Sequence, residues 1–98
     1  MTKIKPYDAA EYLDGPETIA AYITEALETG DPSLIAMALR AVARAKGMGE
    51  VAEKAGLSRE NLYQALGGEA KPEFGTILKV LQAMEINLIA QPAPTQAA

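Results

Sequence analysis

The apolar positions of this chain fall into groups with helical spacing, separated by glycine and proline, and they predict five helices. The first group is Ile19, Tyr22, Ile23, Ala26 and Leu27, which recur on one face of a helix. Asp14-Gly15-Pro16-Glu17 announces it: Asp14 can cap, Pro16 suits a first turn, Glu17 can complete a capping box, and Gly30 is the stop. Asp31-Pro32 restarts the chain in a second helix running to about Lys46, with Leu34, Ile35, Ala38, Leu39 and Val42 inward. Its alanines (36, 38, 41, 43 and 45) favour helix and let neighbouring helices approach closely. Two short helices follow between Met48 and Leu66, and a last one spans roughly Glu73 to Met84 with Phe74, Ile77, Leu78, Leu81 and Met84 inward. The lone phenylalanine, Phe74, is expected to anchor the core. Ile86-Asn87-Leu88-Ile89-Ala90 alternates, which makes it a candidate short strand in need of a partner strand. The expected organisation is an N-terminal arm at 1–13, a helical domain at 14–90 and a disordered tail, QPAPTQAA, at 91–98.

The stretch MGEVAEKAGLSRENLYQAL, residues 48–66, organises the rest. Val51, Ala52 and Ala55 face inward, and Ala52 is small where a second helix would cross steeply over the first. Gly56 sits where the first helix ends and a left-handed residue is needed, which glycine adopts without a Cβ penalty. Leu57 closes the turn, Ser58 can cap the second helix, and Leu62 and Leu66 pin it to the domain. This spacing fits a helix-turn-helix. The opposite face carries Arg59, Glu60, Asn61, Tyr63 and Gln64, residue types that reach base edges and phosphates in a major groove. An ordinary helical hairpin with a polar outer face has the same pattern.

Composition narrows the chemistry. The 98 residues suit one domain with a modest core. There is no cysteine and no histidine, so disulfides, thiolate or imidazole metal sites and histidine-based acid–base chemistry are excluded. No paired carboxylates stand out as a catalytic set, and neither a catalytic residue, a metal nor a cofactor is expected. No apolar run is long enough for a membrane span and none at the start reads as a signal peptide, so a cytoplasmic protein is expected.

The net charge of −4 is unevenly spread. Residues 1–39 set Lys3 and Lys5 against seven acids, whereas residues 40–72 hold six cations against four acids. Arg40, Arg44 and Lys46 crowd the end of the second helix, where cations favour the negative end of the dipole and could also meet phosphate. Lys71, beyond Gly67-Gly68, is a further candidate phosphate contact. The asymmetry fits one face for DNA and another for a basic partner. Tyr7 and Tyr12 in the arm, with Glu25 and Glu28 on the first helix, are the candidates for that second face.

From Tyr7 to Leu88 the sequence resembles the addiction-module antidote proteins of bacterial type II toxin–antitoxin systems, small members of the lambda-repressor-like, Xre-type helix-turn-helix class. The resemblance is carried by YDAAEYL, by AAYITEALETGDPSLIAMAL, and above all by ARAKGMGEVAEKAGLSRENLYQALGGEAKPEFGTILKVLQAM. It implies an all-α, five-helix lambda-repressor-like domain acting as an antitoxin, with a small basic RelE/ParE-superfamily toxin as partner. It also implies dimeric repression of its own operon through an operator in its promoter. By the same resemblance Ser58 would cap and touch phosphate, Arg59, Glu60 and Gln64 would lie over the bases, and Tyr63 would flank them. Repressors of this class often carry glutamine at the first helix-turn-helix position, and this chain has Met48 there. Two other readings stay open: a stand-alone helix-turn-helix repressor without a toxin, and an interaction module that no longer binds DNA.

Overall fold

The computed structural model describes residues 13–67 and 71–94. Among them are five helices and no strand: α1 (Pro16–Thr29), α2 (Pro32–Lys46), α3 (Met48–Ala55), α4 (Arg59–Ala65) and α5 (Phe74–Ala83). The arm residues up to 12, including Tyr7 and Tyr12, lie outside the described residues, as do the loop residues 68–70 and the tail from 95.

Local chemistry sets the helix boundaries. Pro16 and Pro32 each stand in a first turn, where proline's missing N–H has no helical partner to lose. The Asp31 carboxylate accepts from the Ser33 N–H at 2.9 Å and caps α2. At α1 the expectation of an Asp14 cap is not met: Gly15 is the cap residue and no side chain bonds the exposed amides. Gly30 ends α1 at φ +69 and Gly47 ends α2 at φ +106, both conformations that disfavour a Cβ.

α1 packs on α2, and α3 touches α2, α4 and α5. This eight-residue helix is therefore the hub of the domain. Its Met48, Val51 and Ala52 meet Leu39, Val42 and Ala43 of α2, Leu62 and Leu66 around α4, and Val80, Leu81 and Met84 around α5 in one core cluster. The burial is close to complete, with Val42, Ala43, Leu62, Leu66 and Val80 fully enclosed. Leu13, the last residue of the expected arm, is buried against the same core.

Three expectations fail at one edge of the core. Phe74 does not anchor it: the ring is 65% exposed, because Phe74 is the first residue of α5 and the inward line of that helix runs through Val80, Leu81 and Met84. Leu27 and Leu34, also expected inside, are exposed, since no element among the described residues covers the last turn of α1 or the outer side of α2. The candidate strand at 86–90 is irregular. The described residues offer it no second strand to pair with, and the Ile86 N–H instead bonds back to the Leu81 carbonyl at 2.9 Å, closing α5. Of these residues, Leu27, Phe74 and Leu88 line an apolar groove of about 430 Å³ between α1, α2, α5 and the segment after it, with Ile23, Ile35 and Ile77 also in its walls.

Candidate functional site

The junction of α3 and α4 is built from backbone bonds and one hydroxyl. Gly56 takes φ +76, which lets its N–H reach the Glu53 carbonyl at 3.1 Å and the Leu57 N–H reach the Ala52 carbonyl at 2.8 Å. That pair of bonds satisfies two of the last carbonyls of α3 and turns the chain sharply. Leu57 packs against the core, and Ser58 Oγ accepts from the Asn61 N–H at 3.0 Å to cap α4. Two short helices thus cross over the buried Ala52 with a two-residue connection, Leu57 and Ser58, after the glycine.

α4 divides by its helical period. Leu62 is fully buried, and Leu66 beyond it equally so. Arg59, Glu60, Asn61 and Gln64 are exposed, while Tyr63 is half-buried. Glu60 and Gln64, four apart, share the outermost line of the helix, and Arg59 and Tyr63 share its flank. Two guanidiniums lie over the tyrosine ring: Arg59 of α4 is 5.9 Å from its centroid and Arg40 of α2 is 5.4 Å from it. Cation–π attraction at a partly exposed ring is worth about 0.5–1 kcal/mol per pair, enough to bias both arginines toward one position without burying them.

The structure brings together Ser58, Arg59 and Tyr63 and adds Arg40, which the sequence placed only in a general cationic run on α2. Sequence spacing could not reveal this contact, because Arg40 and Tyr63 are 23 positions apart on different helices. Arg44 lies exposed one turn beyond Arg40 on the same face of α2. Lys71 stands elsewhere, in the lining of the apolar groove. Glu25 and Glu28 are exposed on α1. An ion pair among the described residues, Lys54 to Glu50 at 4.0 Å, is solvent-exposed and contributes little. Among the described residues no group of acidic side chains is arranged to hold a metal ion, and no helix is long and apolar enough to cross a membrane.

Residues 3–92 match the family "Probable addiction module antidote protein". The chain is also similar to an uncharacterized protein of Haemophilus influenzae, 40% identical over 89 residues that cover 91% of this chain and 92% of that protein. No solved structure matches the chain.

Proposed function

The chain belongs to the family of probable addiction module antidote proteins, and from that membership we propose that it is the antitoxin of a type II toxin–antitoxin module. In this reading it binds and neutralises a small basic toxin of the RelE/ParE superfamily, encoded beside it. It also represses its own operon as a cytoplasmic homodimer, with no catalytic chemistry of its own. The α3–turn–α4 unit is a helix-turn-helix of the lambda-repressor-like class, and α4 is its reading helix.

The observation that carries the DNA-binding half is the Arg40–Tyr63–Arg59 cluster beside the exposed line of Glu60 and Gln64. The two arginines straddle the flank of α4, where the sugar–phosphate wall of a major groove would run, while Gln64 and Glu60 face the base edges. Gln64 suits the N6/N7 edge of adenine and Glu60 the N4 amine of cytosine, and Arg59 is close enough to the helix start to reach guanine O6 and N7. Ser58 caps α4 with its hydroxyl oxygen and keeps its O–H free in direction for a phosphate, and Arg44, with Asn61 at the other side of the helix, extends the contact. Lys71 is the more distant phosphate candidate. Neutralising the DNA backbone releases counterions, so affinity must fall with salt.

The test is an anisotropy titration against the chain's own upstream DNA and a scrambled duplex at two salt concentrations. Preference for the upstream fragment, weakened by salt, is expected, with Arg59→Ala and Gln64→Ala each losing about 1–3 kcal/mol of discrimination and keeping their helical circular dichroism. Arg40→Ala should weaken both duplexes alike and flatten the salt slope by about one unit. Equal weak binding to both duplexes by the unmodified chain would remove the repressor half of the proposal. Operator binding without any interaction with the neighbouring gene product would leave a stand-alone repressor.

A further inference from the structure

The groove between α1, α2 and α5 has an unusual pairing of features. Its walls are apolar apart from Lys71, and Leu27, Phe74 and Leu88 stand open to solvent around it. Next in the chain to wall positions stand three exposed carboxylates: Glu28 after Leu27, Asp31 before Pro32, where it also caps α2, and Glu73 before Phe74. α1 carries Glu17, Glu25 and Glu28 and no lysine or arginine at all.

We propose that this groove seats an apolar, lysine- or arginine-bearing segment of the toxin, an inference that rests on reading the chain as an antitoxin. An open apolar concavity is stabilised when a matching apolar face excludes its water. The acidic rim then selects which face: a segment with cations flanking its apolar residues gains attraction, and an acidic one is repelled. A second copy of this chain fits poorly. A two-fold contact through the groove would bring both acidic rims into one interface, and the chain's own clustered cations, Arg40 and Arg59, are gathered around Tyr63 instead. No residue of α4 lines the groove, so the reading helix stays free while the groove is filled. One small domain could thereby hold toxin and operator at once, with Lys71, which lines the groove, the single phosphate candidate shared between the two surfaces.

The probe is the purified product of the reading frame adjoining this chain's gene, titrated calorimetrically into the full chain. Phe74→Glu and Leu88→Glu should each weaken binding by about 100-fold, as expected for charges placed in an apolar seat, and Phe74→Leu should stay within about tenfold. Glu28→Lys combined with Glu73→Lys should weaken it by about tenfold through the rim charge alone. All these side chains are exposed, so circular dichroism should remain that of the unmodified chain. Phe74→Leu should keep its upstream-DNA affinity as well, whereas the double lysine variant, whose net charge rises from −4 to 0, should bind any duplex more tightly. Failure of the neighbour's product to bind the unmodified chain would overturn the antitoxin reading and this inference together. Binding that Phe74→Glu and Leu88→Glu leave intact would overturn the groove alone. Unchanged affinity in the double lysine variant would overturn the basic character of the segment. Light scattering that shows the free chain losing a dimer on Phe74→Glu would assign the groove to a second copy instead.

Discussion

Glu85 holds φ +61, the one described non-glycine residue in the left-handed region. Its N–H bonds the Gln82 carbonyl at 3.0 Å, and the Ile86 N–H bonds Leu81, so α5 ends by the same device as α3 but without the glycine. Glu85→Gly should therefore raise stability by about 0.5–1 kcal/mol in urea denaturation, the relief of left-handed strain being partly offset by a more flexible unfolded chain. Gly56 is the reverse case. A Cβ there would meet nothing within 4 Å, so Gly56→Ala tests backbone strain alone, and a loss of about 1–2 kcal/mol is expected. At Tyr22, burial pushes the phenol above its ordinary value of 10.0. A raised folded value favours the neutral form, so this residue's contribution is complete below pH 10 and is lost as the pH climbs through the folded pKa. Thermal melts of Tyr22→Phe should match the parent's pH dependence up to pH 10 and fall less steeply above it.

At the scale of elements, the short helices depend on their ends. α4 has seven residues and α3 eight, well below the length at which an isolated helix is stable in water. Capping and tertiary burial must hold them. Ser58→Ala should cost about 1 kcal/mol, as should Asp31→Ala at the start of α2. Their consequences should differ in place. Hydrogen exchange should show Ser58→Ala releasing the amides of α4, whereas Asp31→Ala should loosen only the first turn of α2, which is fifteen residues long. If Ser58→Ala leaves α4 protection unchanged, packing of Leu62 and Leu66 is enough to hold the helix without its cap.

For the whole molecule, α3 is the shared support of α2, α4 and α5, and it can be short because its neighbours enclose it. Ala52 of α3 is 2% exposed, and its carbonyl accepts the Leu57 N–H at 2.8 Å just before α4 begins. Ala52→Leu should destabilise the domain by about 1–3 kcal/mol by overpacking, and under the proposed reading of α4 should lower affinity for the upstream DNA because α4 is displaced from its seat. Chemical denaturation paired with the anisotropy titration checks both. A variant that binds the operator normally would mean that α4 is positioned from elsewhere.

Much of this was legible in the amino-acid sequence because the signals are local. Period, proline, glycine and capping residues act within a turn of where they stand, so five helices, the left-handed Gly56 and the Ser58 and Asp31 caps could be read from residues alone. The polar face of α4 followed from the same period. Tertiary structure decided what periodicity cannot: which apolar residues would find a neighbour to cover them. Phe74 and Leu27 have the right spacing for a core, yet no helix among the described residues closes over them, and they open onto a groove. Residues 86–90 alternate like a strand, yet a strand exists only where a second one supplies hydrogen bonds. Arg40 meets Tyr63 because α2 and α4 are fixed side by side on α3, a proximity in space that separation along the chain does not encode.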